Sequence, residues 1–220
     1  MGRREGCHAT APDTMASVPR ICSSLLPVLL LAALAGCGRS VPATPRAART
    51  QAIEQPFVAW RGEGRITVSW PGGRLSADCW LRRAEPTAVR VAIVGDGGLT
   101  LADLEIGAGG ATIHAAVSDL RPRLQPVIDL LTAAYGPADE QCRRWQNGRL
   151  RVETTSGARW YGGDPLLLRR ADGPGSAVWL ADYRPLAGLH IAHDLSTEGI
   201  VEIVIRIRAI RPLTATPTTE

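Results

Sequence analysis

The feature that most restricts this chain is a two-residue alternation of apolar and polar side chains, broken by glycine and proline, that recurs over most of its length. Successive side chains on an extended strand point to opposite faces, so each such run offers one face to a core and one to water. The clearest instance, GRITVSWPGGRLSADCWLRR at residues 64–83, holds two runs around Pro-Gly-Gly, the pattern of a β-hairpin. With Gly72 and Gly73 as the loop, Trp70 faces Leu75, Val68 faces Ala77 and Ile66 faces Cys79, while Thr67, Ser69, Ser76 and Asp78 take the other side. A slip of one residue would invert every side chain, so both strands specify the same inward face.

A second hairpin follows in TAVRVAIVGDGGLTLADLEI, residues 87–106, with Gly95–Gly98 as its loop. Pairing Val94 with Leu99 sets Arg90 opposite Asp103 and leaves Val89, Val91, Ile93, Ala102 and Leu104 on the other face. Near the tip the pattern breaks: Ile93, Val94, Leu99 and Leu101 are apolar on both faces, which an ordinary solvent-facing hairpin does not need. A further strand, ATIHAAV, leads to SDLRPRLQPVIDLLTAAYG, where Pro126 suits the first turn of a helix running to about Tyr135, with Gly136 as its stop and Pro137 beyond. The expected apolar face of that helix is Val127, Ile128, Leu131 and Ala134. The rest alternates again and ends in IVEIVIRIRAI, where Val201, Ile203, Ile205 and Ile207 share a face. The fold class expected from these patterns is mainly β, antiparallel, with one helical insertion near the middle.

One stretch does not alternate. The run from Leu25 to Ala35 is almost wholly apolar, yet it is short of the roughly 20 residues needed to cross a bilayer core. Arg20 before it and small residues after it give it the order of a secretory signal. Its end, LAGC at Leu34–Cys37, resembles the lipobox of bacterial lipoproteins. That resemblance implies cleavage before Cys37, a diacylglyceryl group on its thiol and an acyl group on the new amino terminus. Gly38 rather than an aspartate follows the cysteine, which in the same family implies export to the outer membrane, lipid-anchored and facing the periplasm. The expected organisation is a signal peptide at 1–36, the lipidated cysteine and a flexible linker at 37–55, and one β-rich domain at 56–220. GRSVPATPRAARTQAIEQ, residues 38–55, carries no apolar period, and a flexible chain of that length reaches roughly 20–25 Å.

All 25 basic residues are arginine and the formal net charge is only +4, scattered without a stripe or interleaved aromatics, so nucleic acid is not an expected partner. Beyond the leader and Cys37 the cysteines are Cys79 and Cys142. An oxidising periplasm would permit a disulfide between them, while Cys79, in an apolar alternation, reads equally as a buried small hydrophobe. His190 and His193 point to opposite faces of one strand, so they do not form a metal pair, and H-E-x-x-H, C-x-x-C and G-x-S-x-G are all absent. The glycine-rich pieces GDGG (95–98) and GAGG (107–110) join strands rather than opening a helix, so they read as turns. No catalytic constellation, metal or cofactor is expected beyond the covalent acyl groups on Cys37.

The lipobox, proline-containing linker, antiparallel sheet, mid-chain helix and long closing strand together resemble the LolA/LolB family of lipoprotein carriers and receptors. The resemblance rests most on residues 87–136 and on LHIAHDLSTEGIVEIVIRIRA near the end. It implies a curved, incomplete β-barrel lidded by helices, whose apolar cavity takes lipoprotein acyl chains or another amphiphile, with a periplasmic carrier protein as a further partner. The family's receptor carries a protruding apolar residue in the loop matching VGDGGL. Here Asp96 and Gly97 occupy its centre, so either Leu99, with Val94, takes that place from the strand end or the role is absent. Val94, Leu99, Leu101, Ile128 and Leu131 are accordingly the expected cargo- or membrane-contacting residues. A second reading of the same fold is a non-catalytic envelope scaffold that docks a protein partner through a face bearing Trp80, Trp145, Trp160 or Trp179.

Overall fold

A computed structural model describes residues 39–46, 57–137, 139–173 and 175–213. The signal segment, Cys37, Gly38, residues 47–55 of the expected linker and residue 56 lie outside the described residues. The chain divides into Met1–Ser40 and Val41–Glu220, and every strand and helix named here belongs to the second unit.

Five strands lead the domain: β1 (Trp60–Trp70), β2 (Gly73–Glu85), β3 (Ala88–Val94), β4 (Thr100–Gly107) and β5 (Gly110–Ala116). Helix α1 (Gln125–Tyr135) follows. Seven more strands complete it: β6 (Glu140–Gln146), β7 (Arg149–Thr154), β8 (Gly157–Gly162), β9 (Leu167–Asp172), β10 (Ala177–Leu186), β11 (Leu189–Glu198) and β12 (Glu202–Pro212). All twelve join one antiparallel sheet in the order β5-β4-β3-β2-β1-β12-β11-β10-β9-β8-β7-β6. The first and last strands therefore pair in its middle, while β5 and β6, consecutive in the chain, occupy its two edges. Their connection must cross a face of the sheet, and α1 lies on that crossing. The helix touches β3 and β4 on one side and β9 and β10 on the other. In a flat sheet β4 and β10 would stand about 29 Å apart, at ~4.8 Å per strand, too far for a helix about 10 Å wide. The sheet is thus curled around α1, open at its β5 and β6 edges, as expected of an incomplete barrel with a helical lid.

The inward faces follow the alternation. On β2, Ala77, Cys79 and Leu81 are buried between exposed Ser76, Asp78, Trp80 and Arg82. On β12, Ile203, Ile205 and Ile207 are buried, and Val201 packs against them. Two registers differ from expectation by two residues, which preserves the faces. The β1–β2 loop is Pro71-Gly72, with Trp70 opposite Gly73, Val68 opposite Leu75 and Ile66 opposite Ala77. Gly72 takes φ +88, a conformation that glycine adopts without steric cost at the second position of a Pro-Gly turn. Across β3–β4, Arg90 lies opposite Glu105 and Ile93 opposite Ala102, and an irregularity after Ile93 then sets Val94 opposite Thr100, one residue from expectation. Arg90 nevertheless reaches Asp103 diagonally, at 2.9 and 2.6 Å. On α1 the buried face is Val127, Leu130, Leu131 and Tyr135. Ile128 and Ala134, expected there, are only partly buried, because spacings of three and four from Val127 select 130 and 131.

Part of the expected linker is packed on the domain. Val41 and Thr44 are buried, and the Thr44 amide donates to the Gly148 carbonyl at 2.5 Å. A Cβ at Gly162 would collide with the Pro42 carbonyl oxygen, so this seat requires glycine at the end of β8. The short run of proline and small side chains carries no periodic signal, and its contacts include Gly148 and Gly162.

Candidate functional site

Where α1 meets β1–β4 the interior is filled. Val89, Val91, Ala102, Leu104, Ile106 and Cys79 are fully buried against Val127, Leu130 and Leu131. Burial raises the Cys79 thiol to about 12, with Asp78 adding to the shift. Of the two readings of Cys79 the structure takes the buried one: Cys79, on β2, and Cys142, on the edge strand β6, are not bridged.

Beyond the C-terminal end of α1 the packing is incomplete. A cavity of about 320 Å³ lies between Tyr135, the start of β1, the end of β2 and the strands β8–β11. That volume falls at the lower end of the range of small-molecule sites. Its apolar wall includes Trp60, Leu166, Leu167, Leu180 and Ile191. Trp60 packs edge-on to Tyr135, ring centres 6.0 Å apart. Tyr135, Tyr161 and Tyr183 and two arginines, Arg83 and Arg159, also line it; no aspartate or glutamate is among the lining residues.

Each polar group is held by a definable piece of backbone. Arg83 continues the inward series Ala77, Cys79, Leu81 at the end of β2, where the β2–β3 register is irregular. One of its terminal nitrogens donates to the Pro86 carbonyl at 2.6 Å, and its guanidinium stands 5.7 Å from the Phe57 ring centre and 5.6 Å from that of Tyr135. Its Nε is buried with no acceptor among the described residues, and burial lowers its pKa from the usual arginine value. Arg159 lies opposite Val152 on β7 and donates to the carbonyls of Ala133 and Gly136 at 3.2 and 2.8 Å, placing a cation at the negative end of α1. Tyr183 donates to the Leu168 carbonyl. The Tyr135 hydroxyl, on a residue only 8 % exposed, has no partner among the described residues. Desolvation raises both Tyr135 and Tyr183 well above the ordinary phenol range.

The residues singled out from sequence lie elsewhere. Val94 and Leu131 are buried, Leu101 and Ile128 partly so, and none lines the cavity. Leu99, 61 % exposed, stands at the β3–β4 tip. The pairings Val94–Asp78, Asp78–Arg65 and Arg65–Arg206 put that tip at the same end of the sheet as the β11–β12 turn. That turn carries Ile200, 84 % exposed. The cavity is at the opposite end, where β1 begins and β2 finishes. Arg83 was legible as an inward position occupied by a charge; the contributions of Arg159 and Tyr135 required the fold. His193 is buried, with Nδ1 2.7 Å from the Ile207 carbonyl oxygen, whereas His190 is partly exposed and lines the cavity. Among the tryptophans, Trp80 and Trp145 are exposed, Trp160 is half-buried and donates to Asp172 at 2.9 Å, and Trp179 is buried. Among the described residues no cluster of metal-ligating side chains occurs, and no helix is long and apolar enough to cross a membrane.

A single antiparallel sheet curled around one crossing helix, with unfilled space beside that helix, defines a lidded half-barrel. The fold is LolA/LolB-like: the domain superposes on a LolA superfamily protein from Nitrosomonas europaea, NE2245, with a TM-score of 0.51 over 75 % of this chain and 90 % of that one, at 10 % identity. A DUF1329 family protein from Desulfovibrio piger aligns with a TM-score of 0.46 over 77 % and 89 % of the two chains, at 13 % identity. No protein-family model matches the chain, and no curated protein sequence matches it.

Proposed function

We propose that this protein is a lipid-anchored, periplasm-facing module that binds an acyl chain of a lipoprotein or another amphiphile and passes it on. It takes no part in covalent catalysis. The observation that carries the reading is the cavity beside α1, with its leucine-, isoleucine- and tryptophan-bearing wall. A close-packed interior has few voids larger than a water molecule, and an apolar one gains by admitting hydrocarbon. The resemblance of LAGC to a lipobox supports Cys37 as the acylated residue, attached to the outer membrane. The fold supports a carrier or receptor role.

Titration with a fluorescent fatty acid tests this. Ala192 is buried and lines the cavity, so Ala192→Phe fills the space and is expected to weaken binding at least tenfold while the protein remains folded by circular dichroism. Equal affinity in the folded variant would place the ligand elsewhere. Mass spectrometry of the native protein reads the anchor, and an unmodified Cys37 removes that part of the reading.

Exposed Trp80 and Trp145 favour the second reading, a scaffold lipoprotein that docks a protein partner. Native mass spectrometry separates the two: co-purified lipid supports the carrier, and a stoichiometric protein without lipid supports the scaffold.

A further inference from the structure

The cavity has a chemically distinct end. Two guanidinium groups converge there, neither in an ion pair among the described residues, on a wall without carboxylates. Arg159 holds the carbonyls of Ala133 and Gly136, on either side of Tyr135, and Arg83 packs over the Tyr135 ring. The three side chains therefore form one cluster drawn from β2, β8 and α1. Two of its donors, Arg83 Nε and the Tyr135 hydroxyl, are buried without an acceptor among the described residues. Buried polar groups are nearly always satisfied, and each exception in a native structure calls for a cause. Packing alone does not supply one, because phenylalanine would fill the Tyr135 position and an aliphatic side chain the Arg83 position without desolvating donors.

We infer that this cluster is the head-group subsite of the cavity and that its ligand is an anionic amphiphile, with a carboxylate or phosphate at Arg83, Arg159 and Tyr135 and its hydrocarbon along the leucine-rich wall. The inference rests on the acyl-chain reading of the cavity and adds the sign of the ligand's charge. An anion supplies the counter-charge that neither arginine has among the described residues, and arginine's planar fork matches either oxyanion. It also offsets the repulsion between Arg83 and Arg159, which contributes to lowering the Arg83 pKa. A neutral ester or alcohol leaves that repulsion in place.

The test compares one chain length with different head groups. The full chain is titrated at pH 8 and low salt with hexadecanoate, hexadecyl phosphate and hexadecanol, and the variants Arg83→Gln, Arg159→Gln and Tyr135→Phe are measured alongside. The expected result is binding of at least one anion tenfold or more tighter than hexadecanol, a gap that narrows with salt. Each arginine variant is expected to lose tenfold or more toward the anion with hexadecanol unchanged, and Tyr135→Phe to lose severalfold. The preferred anion tells a carboxylate site from a phosphate site. Hexadecanol bound as tightly as both anions overturns the head-group subsite and leaves the acyl-chain reading standing. Failure of all three to bind overturns both. The native-sequence series does not depend on the variants folding, and Tyr135→Phe removes only a hydroxyl that bonds to nothing among the described residues.

Discussion

The two halves of the sheet are built from the same alternation and end in different states. On β3 and β4 the inward positions, Val89, Val91, Ile93, Ala102, Leu104 and Ile106, are all aliphatic or small, and α1 lays Val127, Leu130 and Leu131 into the space. On the β8–β11 side the helix brings only Ala134 and Tyr135 to the cavity, and the inward positions of β8 are Arg159 and Tyr161, opposite Val152 and Leu150. Tyrosines and arginines are long and keep their polar ends near a partner, so they do not interdigitate across the gap. Where the helix sits over aliphatics a core closes; where it sits over arginine and tyrosine a cavity is left. A helix crossing the sheet once can do both because it turns different faces to the two halves.

The largest contrast expected between the halves is chemical. Cys79 lies in the closed half with its thiol raised to about 12 from 9.0. At pH 8 the folded protein thus presents about a thousandfold less Cys79 thiolate than the unfolded chain, and a thiol reagent should label Cys79 only in denaturant. Rapid labelling of the native protein would show that the β1–β5 half opens. The same shift sets a pH dependence. Because folding favours the neutral thiol, its contribution to stability is complete below about pH 9 and is lost progressively as pH rises toward 12. Denaturant midpoints should fall across that window.

Next in size is the response to truncation. Leu104 is wholly buried in the closed half, and Leu104→Ala is expected to cost about 2–5 kcal/mol in denaturant unfolding. Leu168 borders the cavity and is partly buried, so less contact is lost and Leu168→Ala should cost clearly less. Equal costs would mean that the cavity is filled in solution. Gly162→Ala is expected to cost about 1–3 kcal/mol as an overpacking change, and to raise hydrogen exchange at the Thr44 amide by displacing Pro42. The smallest effect belongs to Leu99→Glu, within about 0.5 kcal/mol for an exposed position. That variant reads function instead: unchanged cargo transfer to liposomes would exclude the β3–β4 tip from membrane contact.

Face identity was legible in the sequence because a period of two survives any even shift in register. This is why Ile66, Leu81, Leu104 and Ile205 are inside although two hairpins pair two residues away from expectation. The register was less legible because Pro-Gly-Gly contains two adjacent loops of the same length, Gly72-Gly73 and Pro71-Gly72, and both give inward faces of the same composition. The cavity was the least legible part. Its polar cluster draws on residues 83, 135 and 159, which come together only through an edge-to-edge crossing of the sheet. Arg83 alone had a local signal, as an arginine at the inward position after Leu81. Leu131 seals the closed core, and neither it nor Ile128 borders the cavity, which α1 lines only with Ala134 and Tyr135.

The seat of Pro42 on Gly162 alters the mechanics of attachment. Gly162 pairs with Leu167, which lines the cavity, so the packed N-terminal segment joins the domain beside the cavity rim rather than at the distant Leu99 tip. With Cys37 acylated as proposed, only four peptide steps of chain, at most about 14 Å, separate the modified residue from buried Val41. A leash of eighteen free residues would let the domain sample every orientation above a bilayer. On the proposed anchoring, a bracket this short confines the orientations that the domain samples above the bilayer.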